Sequence, residues 1–189
     1  MASSRPRRIE KARTLLRPGI SGPGGLWADV GCGDGIFTAA LHTLIRPEGE
    51  IYAVDKSQRA LESLAHSFAE SYPEASIHLL QADFTRPLAL PPLDGLLMAN
   101  SLHFVRQKGP LLRRLIGLLK PGGRLIVVEY NTASANFAVP HPLDEAGFLD
   151  LAPRVGLCKA RILARIPSTF LGEMYAGMGL AGSGEVAEG

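Results

Sequence analysis

Short apolar segments alternate with amphipathic segments along the chain from about residue 25 onward. Leu26–Val30, Glu50–Val54 and Ser76–Leu80 are typical of strands. Leu93–Ala99 is a nearly continuous apolar run, as expected for a strand that is covered on both faces. This alternation predicts parallel strands joined by crossover helices.

The segments between these strands have the spacing of amphipathic helices. Ile36–Leu44 places its large apolar residues on one face. A second helix is predicted to start after Ser57, a residue type that caps helices, and to end at Tyr72-Pro73. Pro110–Leu119 is a third helix, ended by the turn at Pro121-Gly122-Gly123.

The last third of the chain completes the predicted sheet. Arg124–Tyr130 is a fifth strand, residues 143–155 are helical, and 158–166 with 169–176 form a closing hairpin around Pro167. The predicted fold is therefore α/β, an open and mostly parallel doubly wound (Rossmann-like) sheet with an antiparallel closing hairpin at the C-terminus.

Charge is distributed unevenly along the chain. The formal net charge is +2, but residues 1–20 carry six Arg or Lys against one Glu. We therefore divide the chain into a basic N-terminal arm at 1–24, a domain at 25–178 and a flexible tail at 179–189. The arm has no aromatic residue for base stacking, so we expect a solvated terminus, with nucleic acid possible but not favoured as a partner.

Several features bear on location. No apolar run approaches the length needed to cross a bilayer, and the N-terminus lacks the apolar stretch of a secretory signal. Cys32 and Cys158 are the only cysteines, which indicates neither a disulfide framework nor a cysteine metal site. We expect a cytoplasmic protein without a membrane partner and without a metal.

A glycine-rich loop follows the first predicted strand and opens the first helix. Its sequence is Asp29-Val30-Gly31-Cys32-Gly33-Asp34-Gly35. Glycine permits a sharp turn, positive φ and close approach of a ligand, although a ligand-free turn is the alternative. The spacing departs from the dinucleotide pattern G-x-G-x-x-G, because Ile36 stands where the last glycine is needed. Pyrophosphate binding is therefore disfavoured.

Two further elements follow the second and third strands. Asp55 ends the second strand, where its two oxygens can accept hydrogen bonds from both hydroxyls of a ribose. The alternative is a capping or ion-paired aspartate without a ligand. Gln81-Ala82-Asp83-Phe84 places an acceptor beside an aromatic ring, which suits a purine but also fits a helix cap or turn. With the turn Lys120–Arg124, the chain resembles the class I S-adenosylmethionine-dependent methyltransferases over roughly residues 26–130.

This resemblance implies S-adenosylmethionine as the cofactor and assigns residues to it. Asp55 would bind the ribose, Asp83 the exocyclic amine of adenine, and Ala82 and Phe84 would line the adenine pocket. The full expected set is Asp29, Gly31, Cys32, Gly33, Gly35, Asp55, Lys56, Ala82, Asp83, Phe84 and Asn100.

The stretch Asn100–Phe104 supplies a candidate for catalysis. His103 is the leading candidate base, and a histidine packed as part of the structure explains it equally well. The stretch departs from the Asn/Asp-Pro-Pro-Tyr/Phe pattern of many enzymes that methylate exocyclic or amide nitrogens. Tyr130, Asn131 and His141 are candidate substrate contacts, on a loop at 131–142 that is either a lid or a plain connection.

The function expected from these features is methyl transfer from S-adenosylmethionine to an oxygen or carbon of a small, apolar metabolite. Alternatives are a methyltransferase acting on RNA or protein, a non-catalytic S-adenosylmethionine-binding partner subunit, and a nicotinamide-dependent oxidoreductase. The acceptor site would have to be built from the arm at 1–24, the loop at 131–142 and a second subunit if the chain forms a homodimer.

Overall fold

The computed structural model describes residues 4–182 and contains one seven-stranded sheet flanked by helices. The strands are β1 (Leu26–Val30), β2 (Glu50–Asp55), β3 (Ser76–Gln81), β4 (Leu93–Ala99), β5 (Leu119–Tyr130), β6 (Leu157–Ser168) and β7 (Gly172–Ala181). The helices are α1 (Arg5–Leu16), α2 (Ile36–Ile45), α3 (Gln58–Ser71), α4 (Lys108–Ile116) and α5 (Glu145–Arg154).

The strand order is β3-β2-β1-β4-β5-β7-β6. The first five strands in this order are parallel, and in β1 Trp27 lies opposite Ile51 on one side and Gly95 on the other. β7 pairs antiparallel with both β5 and β6. The predicted fold, a mostly parallel sheet closed by an antiparallel hairpin, is confirmed.

Helices cover both faces of the sheet. On one face, α1, α2 and α3 bury residues such as Leu15, Leu41 and Leu64. On the other, α4 and α5 bury Leu112 and Phe148 against the sheet. Within residues 4–182, no helix is long and apolar enough to cross a membrane.

The N-terminal arm differs from the prediction. Residues 5–16 form α1, with a proline in the first turn, where its missing N–H costs nothing. Leu15 and Leu16 are fully buried and Ala12 is 2% exposed. The expectation of a solvated terminus is therefore wrong, because the apolar stripe of α1 packs on α2 and the sheet.

Element boundaries in the second half of the chain also differ from the prediction. α4 ends at Ile116, because Leu119 already pairs with Leu93 as part of β5, and a bulge follows before Arg124. The hairpin reverses at 169–171 and Pro167 lies within β6, an edge strand that tolerates proline. Residues 179–181 of the predicted flexible tail belong to β7. The rest of that prediction, at 183–189, falls outside the described residues.

Candidate functional site

The strand order reverses at β1, which has β2 on one side and β4 on the other. In open α/β sheets such a reversal opens a crevice at the carboxyl ends of the strands, where ligands bind. The loop Gly31–Gly35 after β1 and the segment Asn100–Phe104 after β4 flank this crevice. The Ser101 hydroxyl donates to the Val30 carbonyl at 3.0 Å and ties the two segments together.

The three glycines of the loop have different neighbours. All have positive φ, 81° at Gly31, 53° at Gly33 and 78° at Gly35. A Cβ on Gly31 would lie 2.7 Å from Ser101 Cβ, and one on Gly35 would lie 2.7 Å from Leu64 Cγ. A Cβ on Gly33 would meet nothing within 4 Å. Gly31 and Gly35 are thus required by packing, whereas Gly33 leaves backbone open to a ligand.

Asp55 lies directly beside this open glycine. Its Oδ2 accepts a hydrogen bond from the Gly33 N–H at 2.9 Å, and its Oδ1 accepts one from the Ser57 N–H at 2.8 Å. A carboxylate oxygen has two lone pairs, so each oxygen can accept a second hydrogen bond. The neighbouring Lys56 is exposed, and its carbonyl accepts from the Gln81 side chain at 3.3 Å.

The segment after β3 meets the same edge. The Ala82 N–H donates to the Asp55 carbonyl at 3.0 Å. Asp83 Oδ1 accepts from the Thr85 hydroxyl at 2.7 Å and from its N–H at 2.9 Å, and these hydrogen bonds lower the pKa of Asp83. The Phe84 ring lies over the glycine loop, 3.3 Å from the position of a Cβ on Gly31. An aromatic face and a carboxylate therefore stand together beside the loop.

Two buried oxygens near the loop lack hydrogen-bond donors. Asp29 is 0% exposed; its Oδ2 accepts from the Thr38 hydroxyl at 2.7 Å, but its Oδ1 has no partner among residues 4–182. Burial raises the pKa of Asp29 to about 7, against the hydrogen bond from Thr38 and with a smaller contribution from the charge of Asp55. Asn100 Oδ1 is also buried and unpaired in the described chain. Such oxygens fit a ligand that brings hydrogen-bond donors.

A cavity of about 510 Å³ extends from the glycine loop outward. Cys32, Gly33 and Asn100 form its floor. Its other walls come from α1, from Tyr130 at the end of β5, and from the turn between β6 and β7, including Phe170. The Phe170 and Tyr130 rings meet edge to face with centroids 5.4 Å apart.

The cationic side of this cavity belongs to α1. Arg8 and Lys11 line it. The Arg8 guanidinium lies 3.3 Å from Asp34 Oδ2, and Arg5 donates to the Asp34 carbonyl at 3.0 Å. These contacts were not predicted from the sequence, although Pro6 followed by the helical spacing of Ile9, Ala12, Leu15 and Leu16 was a signal for α1.

Cys32 and Tyr130, which both line the cavity, favour their protonated forms. Burial raises the pKa of the Cys32 thiol, and the charges of Asp29 and Asp55 raise it further. Burial and the charge of Glu129 raise the pKa of the Tyr130 phenol, with Arg8 acting in the opposite direction. Neither group is suited to accept a proton from a substrate at neutral pH.

His103 lies outside the cavity wall. It is 3% exposed, and its Nδ1 lies 2.6 Å from Glu129 Oε2. Glu129 Oε1 accepts hydrogen bonds from the backbone N–H groups of Leu102 and His103 at 2.9 and 3.1 Å. A role for His103 as a base remains a prediction, which its burial and its position outside the cavity wall do not favour.

The other predicted substrate contacts separate into two groups. Tyr130 lines the cavity, whereas Asn131 and His141 do not. Asn131 donates to Glu173 at 2.8 Å and accepts from the Glu145 N–H at 3.2 Å, and so connects β7 to the start of α5. The His141 N–H donates to the His103 carbonyl at 3.0 Å. In residues 4–182, His, Cys, Asp and Glu form no group of three or more that could hold a metal.

Comparison with known proteins identifies the family of this chain. A family model described as a methyltransferase domain matches residues 28–125, more than half of the chain. A ubiquinone/menaquinone biosynthesis C-methyltransferase (UbiE) of Pseudomonas aeruginosa is 28% identical over 130 residues, covering 68% of this chain and 50% of that protein. Trans-aconitate 2-methyltransferase of the same species is 37% identical over 122 residues, covering 63% of this chain and 42% of that protein. The chain thus spans about half the length of these curated relatives or less.

Solved structures share the fold. The crystal structure of an S-adenosylmethionine-dependent methyltransferase from Aquifex aeolicus superposes with a TM-score of 0.66 at 17% identity, covering 93% of this chain and 97% of that one. The family match excludes the nicotinamide-dependent alternative, in agreement with the glycine spacing of the loop. The chain belongs to the class I S-adenosylmethionine-dependent methyltransferase family.

Proposed function

We propose that this chain binds S-adenosylmethionine across the loop Gly31–Gly35 and catalyses methyl transfer to an oxygen or carbon of a small metabolite. The observation that carries this proposal is the open backbone at Gly33, where positive φ coincides with empty space above the loop. The cavity that begins there has room for the reacting end of the cofactor and a small acceptor.

The residues around Gly33 suit the parts of the cofactor. The lone pairs left on the Asp55 carboxylate would accept from the two ribose hydroxyls. Asp83 Oδ2, which accepts no hydrogen bond from residues 4–182, would take the adenine amine, with Ala82 and Phe84 beside the ring. The unpaired oxygens of Asp29 and Asn100 would face the amino acid end, whose ammonium group supplies donors.

The bound cofactor supplies a methyl group already activated on a sulfonium, so that the protein mainly has to align an acceptor and exclude water. Tyr130 keeps its proton and can donate a hydrogen bond to the acceptor. The buried Leu15 and Leu16 hold α1 against the core, Arg5 and Arg8 contact Asp34 of the glycine loop, and α1 thereby lines the cavity. Both relatives described above are named for methylation of small molecules, which supports a small acceptor.

A glycine substitution tests cofactor binding at the loop. Gly33→Ala would place a methyl group where the cofactor should lie, while meeting no atom within 4 Å apart from those of the adjacent residues in the chain. Gly122→Ala is the matched control, because Gly122 also has positive φ, 75°, and open space around it, but lies in the turn at the opposite edge of the sheet. Both changes should cost a similar folding free energy of about 1–2 kcal/mol for the left-handed backbone.

Calorimetric titration with S-adenosylmethionine should then separate the two variants. We expect Gly33→Ala to bind at least about tenfold more weakly than wild type and Gly122→Ala to bind like wild type. Equal affinity of both variants would show that the cofactor does not lie on Gly33. Incubation of the wild-type protein with cell extract and methyl-labelled cofactor would show whether label enters a small molecule, RNA or protein, and binding without any transfer would indicate a non-catalytic subunit.

A further inference from the structure

The cavity carries a positive charge that the protein itself does not neutralise. Its charged side chains in the described chain are Arg8, Lys11 and Asp34. Asp34 already pairs with Arg8 at 3.3 Å. Lys11 forms no ion pair with any residue between 4 and 182, although it lines the cavity. One positive charge therefore remains at the cavity.

The same cavity offers no side chain suited to remove a proton. Within the described residues its wall contains no histidine and no glutamate, and Asp34 is its only carboxylate. Tyr130 and Cys32 keep their protons for the reasons of burial and charge given above. A neutral alcohol or an unactivated carbon would need a base to become a nucleophile. An acceptor that arrives as an anion needs none.

The body of the acceptor would meet aromatic and apolar side chains. Tyr130 and Phe170 stand edge to face on the wall, and Phe170 is 55% exposed although it is a large apolar residue. Ile166 and Met174 extend this apolar side. Aromatic side chains pack well against flat unsaturated ligands. The wall thus combines a cationic end with an aromatic surface.

We propose that the acceptor is a small organic anion with a flat, unsaturated body, its negative group held by Lys11 and its body packed against Tyr130 and Phe170. This inference rests on the proposed methyltransferase function and replaces the simple apolar acceptor expected from the sequence. Lys11 sets specificity by charge, and it lies on α1, which the buried Leu15 and Leu16 hold in place and which contacts the glycine loop through Arg5 and Arg8.

Binding measurements with matched pairs of compounds test this proposal. Each pair consists of a carboxylate and its neutral amide: benzoate and benzamide, trans-cinnamate and cinnamamide, 2-naphthoate and 2-naphthamide. They are titrated calorimetrically into protein saturated with S-adenosylhomocysteine. For at least one pair, we expect the carboxylate to bind about tenfold more tightly than the amide, as one charge-assisted contact would allow.

Variants then assign the preference to Lys11. Lys11→Met should reduce the preference to less than about threefold, and Lys11→Arg should retain it. Arg7→Met removes the same charge from an exposed position of the same helix outside the cavity, and should behave like wild type. Lys11 is itself exposed, so that none of these variants should impair folding.

Three results would overturn the proposal. Absence of a carboxylate preference in every pair, or equal loss of preference in Lys11→Met and Arg7→Met, would show that the cavity does not select anions through Lys11. If Lys11→Met weakened S-adenosylhomocysteine binding by the same factor as carboxylate binding, Lys11 would belong to the cofactor site instead. Failure of the wild-type protein to bind S-adenosylhomocysteine at all would refute the proposed function itself, and is seen before any acceptor is added.

Discussion

The buried pair of His103 and Glu129 allows a quantitative prediction about the segment after β4. Glu129 accepts three hydrogen bonds, two from the backbone N–H groups of Leu102 and His103 and one from the His103 ring. In Glu129→Ala the two backbone donors would be left buried without an acceptor, each at about 1–3 kcal/mol. We expect a loss of about 3–5 kcal/mol in the free energy of unfolding, the range for breaking a buried pair.

Glu129→Gln should be far milder. Its amide oxygen can still accept both backbone hydrogen bonds, and its NH₂ group can donate to Nδ1 of the His103 tautomer that carries its proton on Nε2. We expect a loss of about 1 kcal/mol, the net value of one altered hydrogen bond. Urea unfolding can be followed by the fluorescence of the single tryptophan, Trp27, which is 3% exposed in β1.

Two results would refute this reasoning. If Glu129→Ala cost less than about 1 kcal/mol, the backbone donors would not depend on this carboxylate. If Glu129→Gln were as damaging as Glu129→Ala, the negative charge would be essential and the partner would be an imidazolium. Once an acceptor is known, His103→Gln tests the remaining alternative, since removal of a general base should slow turnover by about 10²–10⁴-fold.

Other predictions concern the cofactor site, its pH dependence and α1. Asp55→Ala should weaken S-adenosylmethionine binding by about 1–3 kcal/mol in calorimetric titration. The control is Asp94→Ala, which removes a carboxylate that accepts a backbone hydrogen bond at the opposite edge of the sheet and should leave this binding unchanged. Equal affinities of Asp55→Ala and Asp94→Ala would mean that the ribose lies elsewhere. Because the folded-state pKa of Asp29 is raised from 3.8 to about 7, the folded state holds its proton more tightly than the unfolded state, and stability should fall as the pH rises through this window. The urea midpoint should therefore change less between pH 5 and pH 8 in Asp29→Asn than in wild type. Equal changes in the two proteins would contradict the raised pKa of Asp29. Leu15→Ala, at a fully buried position of α1, should lower the free energy of unfolding by about 2–5 kcal/mol. A loss below about 0.5 kcal/mol would indicate that the arm is solvated.

The parallel part of the fold and the cofactor edge could be predicted from local sequence. β1 and β4 were predicted with their observed bounds, because strands covered on both faces are recognisable as apolar runs. In a parallel sheet the carboxyl ends of neighbouring strands meet, so that the sequence alone places the glycine loop, Asp55 and Asp83 at one edge.

α1 and the hairpin turn were harder to predict because their placement depends on contacts distant in sequence. The charge of residues 5–17 obscured the short apolar stripe of α1, whose burial depends on α2 and on the β6–β7 hairpin. The reversal at 169–171 lacks a strong turn sequence, and the antiparallel register of β6 and β7 sets it. The pairing of His103 with Glu129 joins the segment after β4 to the end of β5, 26 residues apart, and left no local signal.

The residues of the family match and several residues that line the cavity lie in different parts of the chain. The family match spans residues 28–125, which include the glycine loop, Asp55, Asp83 and Asn100. Arg8, Lys11, Tyr130 and Phe170, which line the cavity, all lie outside it. Family membership therefore bears on the methyl donor, and the named relatives support a small acceptor, but similarity within residues 28–125 does not specify which molecule is methylated. The acceptor has to be inferred from α1 and the β6–β7 turn of this chain, where the charge of Lys11 and the aromatic pair favour a flat anion over a neutral apolar molecule.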